Sequence, residues 1–292
     1  MSNSEPSDDA DPSARWLPVH AGGRRSAPWA GRPRLVAARG VKHGGRAAAS
    51  WRMTTGMSMV ARIAQNMMDR YGFMGVTVAT FEQAGREQLI TLLSEGLVPE
   101  STVLEFGCGP LRIAYWLTRF LDPGCYYGIE PARNRVEAGL EQLFTPEERA
   151  MKQPRFDFNA DFDSSVFGIS FDYFLARSIW SHASKRQIEA MLDSFVRDSK
   201  PSAIFLTSYY PAEPVDSSYR ETLTNYFAMQ RHQGDFQGDY WVGTSHESDT
   251  IGVVQHSTSW ILDRCSSRGL TVTEMPGIDC DGQVWLKIAR AP

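Results

Sequence analysis

The ten residues Val103–Arg112, reading VLEFGCGPLR, constrain the fold more than any other stretch of the chain. An apolar run ends at Gly107 and Gly109, and a new amphipathic segment opens at Leu111. This is the pattern of a buried strand turning sharply into a helix, with backbone close enough to touch a ligand. The two glycines make the turn without Cβ clashes. A helix expected over Leu111–Leu121 would then bring its free N-terminal amides beside the turn. In α/β sheets, small ligands sit at such corners.

What is missing narrows the ligand. A dinucleotide fingerprint needs a third glycine three residues after the second, and that position is Arg112. The string G-x-x-x-x-G-K-[ST], which cradles phosphates, does not occur. Instead an acid stands two residues before the first glycine, in Glu105-Phe106-Gly107-Cys108-Gly109-Pro110. A carboxylate there would repel a pyrophosphate and suit a cation. On these residues the chain resembles the class I S-adenosylmethionine-dependent methyltransferases, whose first motif is (D/E)-x-G-x-G-x. The resemblance implies that Glu105, Gly107, Cys108, Gly109 and Pro110 lie against the methionine and sugar portions of the cofactor. The plainer alternative is a strand–turn–helix corner with incidental glycines.

The spacing downstream favours the resemblance. Twenty-five residues after Glu105, a short apolar stretch from Cys125 ends in Glu130-Pro131. An acid at the end of a second strand can accept both hydroxyls of a ribose. Arg155–Phe162 reads as a third strand running into a polar loop. The resemblance implies an adenine contact here from Asp161 and Phe162, with Asp163 and Asn159 as alternatives to Asp161. Phe171–Ser178 reads as the fourth, central strand. In the resembled family its exit, here Ala176 and Arg177, faces the cofactor's sulfur. Arg177 has other readings too: an ion pair with Glu105 or Asp172, or a site for a substrate anion.

Helical and strand patterns alternate along the chain, which predicts a doubly wound, mostly parallel α/β sheet. The resemblance implies seven strands in a Rossmann-like methyltransferase fold, closed by an antiparallel last strand at Gly282–Ile288. Ahead of this core, an apolar stripe over Met57–Arg70 (Met59, Val60, Ile63, Met67, Met68) predicts one helix. A second is expected over Thr80–Ser94, with Phe81, Leu89, Ile90, Leu92 and Leu93 facing inward and Gly96 as the stop. Residues 53–96 thus form an N-terminal helical region, either adaptable core or a lid, and residues 97–292 form the core.

Residues 1–52 are rich in Gly, Pro, Ala and Arg and lack periodicity. Four acids come first, and nine Lys/Arg follow between Arg15 and Arg52 with no acid among them. Such a stretch cannot build a core and reads as a disordered leader. Its basic part resembles a transit peptide, against which its acidic start argues. An overextended start is a further reading, given Met53, Met57 and Met59. The remainder carries 21 basic and 30 acidic residues, a net charge near −9 that disfavours nucleic acid as a partner. No apolar run approaches membrane-spanning length. The four cysteines show neither metal nor redox spacing, so reduced thiols in a cytoplasmic setting and no bound metal are expected.

Ser178–Ser184 follows the fourth strand, and Ser184 with Gln187 forms a capping-box pattern that opens the next helix. His182 therefore stands at the carboxyl edge of the sheet. It reads either as a general base for a hydroxyl acceptor or as a residue that orients the loop. The region from Tyr209 to His256 is long for a connection and rich in aromatics. It reads as a substrate cap, with Tyr209, Tyr210, Tyr240 and Trp241 offering stacking surfaces, or as a satellite core.

The resemblance implies methyl transfer without an enzymic nucleophile, because alignment of the acceptor can itself supply about 7–11 kcal/mol. The motifs of DNA-modifying relatives, D/N/S-P-P-Y/F/W and Pro-Cys, are absent. A small-molecule acceptor is expected, oxygen before nitrogen or carbon. Aminopropyl transfer would call for an extra acid pair where Ala176-Arg177-Ser178 stands. A cofactor-binding regulator or scaffold of the same fold is the alternative from outside enzymology.

Overall fold

The computed structural model describes residues 58–71, 78–212, 240–242, 253–275 and 283–292, with backbone alone for 71, 79, 240–242 and 253. The leader assigned to residues 1–52 lies outside the described residues. Ser58–Pro292 forms one compact unit.

Seven strands make the central sheet: β1 (Val103–Phe106), β2 (Tyr126–Ile129), β3 (Arg155–Asp157), β4 (Phe171–Ala176), β5 (Ser199–Pro211), β8 (Leu270–Glu274) and β9 (Val284–Arg290). They lie in the order β3-β2-β1-β4-β5-β9-β8. The first five run parallel, and β9 runs antiparallel to both neighbours. Because β1 is central, its residues are buried on both faces, and all but Glu105 are apolar.

The sheet is not limited to seven strands. Two more, β6 (Tyr240–Val242) and β7 (Val253–His256), come from the aromatic region. β7 runs parallel to the last two residues of β5, and β6 pairs antiparallel with β7. Sequence reading missed both strands because their partner, the far end of β5, is remote in sequence.

Helices cover both faces. On one side lie α1 (Met59–Tyr71), α2 (Val78–Ser94), α3 (Ala114–Phe120) and α4 (Arg133–Leu143). They pack with Val103, Tyr126, Leu175 and Leu206. On the other side lie α6 (Lys185–Asp198) and α7 (Thr258–Ser266), against Leu104, Ile129, Phe205 and Ile288. Phe106, Phe174, Phe195 and Trp180 meet Phe205 in tilted and edge-on contacts within this second core. The short α5 (Pro146–Lys152) is opened by a capping box of Thr145 and Glu148. The box foreseen at Ser184 and Gln187 opens α6.

α2 differs from expectation in its inward face. Phe81, Ala84, Gln88, Thr91 and Leu92 are buried, while Ile90 and Leu93 are exposed. Ile90 follows Phe81 by about two and a half turns, which puts it on the opposite side of the helix. α3 is also shorter than expected. Leu111 has a left-handed φ of 63°, so the turn continues through Ile113 and the helix begins at Ala114.

Candidate functional site

β1, β2, β3 and β4 all end at the same edge of the sheet, and the acid–glycine turn leaves β1 there. The turn is seated on β2: the amide of Gly107 donates to the Ile129 carbonyl at 2.8 Å. The amide of Gly109 donates to Glu130 Oε2 at 2.9 Å, and that of Ala132 to Glu130 Oε1 at 3.0 Å. Glu130 is buried, and each of its oxygens holds one amide and keeps a lone pair for a further donor. Burial pushes its carboxyl above the ordinary range, against the pull of these amides and of Arg135.

Glycine is required at three contacts around the turn. Gly107 has φ +66°, and a Cβ there would stand 2.1 Å from Ile179 Cδ1. The loop after β4 therefore lies directly over the first glycine. A Cβ on Gly128 would meet Cys108 Sγ at 2.7 Å, so β2 needs glycine to seat the turn's cysteine. In α4, a Cβ on Gly139 would meet the Pro110 carbonyl oxygen at 2.6 Å. Gly107 is half-buried, whereas Cys108, Gly109 and Pro110 are buried. Pro131, just beyond the Glu130 clamp, is exposed.

Glu105 is buried beneath this turn, and Tyr126 Oη donates to its Oε2 at 2.5 Å. Its carboxyl is pushed up to about 8, first by burial and then by Glu130, against the Tyr126 hydrogen bond and Arg112. Burial likewise raises the Cys108 thiol well above its usual value, with Glu105 and Glu130 adding to the effect. Cys108 thus remains a protonated, unreactive filler. With Glu105 pushed up to about 8, the turn carries less negative charge near neutral pH than two ionised glutamates would give it.

The loop after β3 narrows the choice among its polar residues. Asn159 donates to Asp157 and accepts from the Asp163 amide, while Asp163 accepts from the Ser165 amide and pairs with Arg197 at 2.5 Å. Asp161 is exposed at the tip. Phe162, held at φ +53°, packs edge-on against Phe106 at 5.8 Å in the second core. Asp161 and Phe162 therefore point into different environments, one solvent and one core.

Ala176 and Arg177 are buried at the exit of β4. The chain then turns through Ser178, at φ +57°, whose amide donates to Ser208 Oγ at 2.9 Å. Gln283 closes this network by donating to Ser178 Oγ and accepting from Ser208 Oγ. His182 is half-buried in the loop that follows, and its amide donates to the Ile179 carbonyl at 2.9 Å.

The proposed acceptor contacts separate into two groups. Tyr209 and Tyr210 are buried in β5 and so belong to the sheet; the Tyr209 hydroxyl bonds Thr258 Oγ1 at 2.9 Å. Tyr240 and Trp241 lie on β6, and their side chains are outside the described residues. Tyr126, Gly128, Ile179 and the Ser178–Ser208–Gln283 network went unnoticed in the sequence. Only strand register brings them to the edge. The one local hint was the alternation Tyr126, Gly128, Glu130, which places all three on the face of β2 that Glu105 shares. Among the described residues, no group of His, Cys, Asp and Glu could hold a metal ion. No described helix is long and apolar enough to cross a membrane.

No family model matches the sequence, and no curated protein does. Many solved structures share its fold. An S-adenosylmethionine-dependent methyltransferase from Clostridium acetobutylicum aligns with 78% of this chain and 98% of its own, with TM-score 0.54 at 9% identity. Magnesium protoporphyrin IX methyltransferase from Synechocystis, with bound S-adenosylhomocysteine, covers 80% and 98%, with TM-score 0.50 at 14% identity. The glycopeptide N-methyltransferase MtfA, complexed with S-adenosylmethionine, covers 70% and 94%, with TM-score 0.50 at 12% identity. The chain has the class I methyltransferase fold.

Proposed function

We propose that this chain is an S-adenosylmethionine-dependent methyltransferase acting on a small molecule, with oxygen as the favoured acceptor atom. The observation that carries the reading is the Glu130 clamp: a buried carboxylate fixed by the Gly109 and Ala132 amides at the carboxyl edge. Such a group suits the hydroxyls of a ribose. Glu105 beneath the turn suits a cation, and the exposed Asp161 is available to an adenine amino group. The cofactor supplies an activated methyl group on a sulfonium centre. The chain contributes placement and, at His182, an imidazole able to take a proton from a hydroxyl. A small acceptor is supported by the acidic balance outside the first 52 residues. Among the neighbours of this fold are a magnesium protoporphyrin IX methyltransferase and a glycopeptide N-methyltransferase.

Calorimetry with S-adenosylmethionine and S-adenosylhomocysteine tests the cofactor assignment. Affinities in the micromolar range, about −8 kcal/mol, are expected, and no binding to either compound overturns the reading. Incubation with methyl-labelled cofactor and a metabolite extract tests transfer. Tight cofactor binding with no labelled product would favour a regulator of the same fold. Against an identified hydroxyl acceptor, His182→Ala should lower turnover at least about tenfold with cofactor affinity unchanged. Unchanged turnover would remove His182 from the chemistry.

A further inference from the structure

The loop that carries His182 is held from outside the core fold. Two hydrogen bonds tie it to β7, and they grip the residues on either side of His182. The amide of Val254 donates to the Ser181 carbonyl at 2.9 Å, and His256 Nε2 lies 2.9 Å from the Ala183 carbonyl. A carbonyl oxygen only accepts, so the His256 proton sits on Nε2. His256 is fully buried and stacks on Trp260 at 5.7 Å, so its ring cannot follow a moving loop without losing that packing. Ser181 and Ala183 are buried as well, leaving His182 as the half-buried residue between two fixed neighbours.

β7 is in turn anchored to the sheet. It pairs with Tyr210 and Pro211 at the end of β5, and the Ala212 amide donates to the His256 carbonyl. The strand thus docks beyond the point where β4 has ended, against the loop that β4 feeds. At its other end the same loop places Ile179 over Gly107.

We propose that His256 is a positioning residue for His182: with the Val254 amide it clamps the carbonyls flanking His182, so the strand closing the aromatic insertion sets where the imidazole stands. The proposal rests on the methyl-transfer reading for the use it gives to His182. The clamp itself is a property of the loop and is testable without an acceptor.

The test follows the His182 imidazole by NMR across a pH titration of the full chain, its signal assigned as the one lost in His182→Ala. His256→Phe keeps a ring of similar size and deletes the donor. It should displace the His182 signal and move its titration midpoint by about half a unit or more. His256→Gln, whose amide can donate to Ala183, should restore both. Val254→Pro removes the other donor while leaving His256 in place, and should also displace the signal. It serves as the deciding variant if His256→Phe does not fold. A His182 signal and midpoint unchanged in a folded His256→Phe or Val254→Pro protein overturn the proposal, as does failure of His256→Gln to restore them. Calorimetry with S-adenosylmethionine on the same samples keeps the two ideas apart. Absence of binding in the unmodified chain overturns the methyl-transfer reading and leaves the clamp to be decided by the NMR signal.

Discussion

At the scale of single residues, the site is governed by what burial does to Glu105. In the folded protein burial pushes its carboxyl up to about 8, against an ordinary value of 4.5. The groups facing it are Tyr126, Cys108, Arg112 and Glu130. A raised carboxyl stabilises the fold fully below the unfolded value, and that contribution is lost as pH rises through about 8. The melting temperature of the unmodified chain should therefore fall relative to Glu105→Gln between about pH 5 and pH 9, as read by calorimetric scans of both proteins. A constant difference contradicts the assignment. A bound sulfonium cation would reverse the balance and expel the proton. Near pH 7, S-adenosylmethionine binding measured in buffers of different ionisation enthalpy should then release about one proton. The neutral thioether product should release fewer, and Glu105→Gln none. Gly128 gives a steric counterpart. Gly128→Ala drives a methyl to 2.7 Å from Cys108 Sγ and 3.1 Å from Phe156 Cδ1. It should cost about 1–3 kcal/mol in a denaturant titration, partly recovered in the double variant with Cys108→Ala. Additive losses in the pair would show that the two residues do not share the space.

At the scale of elements, periodicity was a good guide wherever one face of a helix met the core. It led to α1, α2 and α6, and turn chemistry identified the Ser184 cap of α6. It failed inside α2, because counting apolar residues gave Ile90 and Leu93 a face that their phase does not allow. The buried line instead recruits Ala84, Gln88 and Thr91, which a hydropathy pattern overlooks. Paired substitutions test the corrected phase. Leu92→Ala should destabilise by about 2–5 kcal/mol, and Ile90→Gln should stay within about 0.5 kcal/mol of the unmodified protein. Equal losses at the two positions in urea unfolding would restore the original inward face. The acid–glycine turn was legible because strand end, acid and glycines are contiguous. The Tyr126 hydroxyl on Glu105, the Cys108 seat on Gly128 and Ile179 over Gly107 were not. Each joins residues at least 20 apart in sequence, and only the parallel register of β1, β2 and β4 brings them together.

At the scale of the whole chain, the sheet order is what alternating helices and strands should build when each crossover is right-handed and β9 closes the far side. The departure is the pair β6 and β7, which turns part of the aromatic insertion into sheet and ties it to the edge loop. The described residues that hold the site together, from Glu105 and Tyr126 to Gln283, lie within the unit Ser58–Pro292. The balance of charge is uneven across that boundary: the first 52 residues carry nine basic and four acidic groups, and the rest are strongly acidic. At about 0.15 M salt, exposed charges act over roughly 8 Å, and none of the site contacts described above draws on a basic group of the first 52 residues. A chain starting at Ser58 should therefore bind S-adenosylmethionine within about twofold of the full-length affinity, with its melting temperature unchanged. Calorimetry and thermal scans at two ionic strengths check this. If the shortened chain lost most of its affinity at both, the N-terminal residues would be supplying contacts to the site. If it lost affinity only at low salt, they would be acting through their charge.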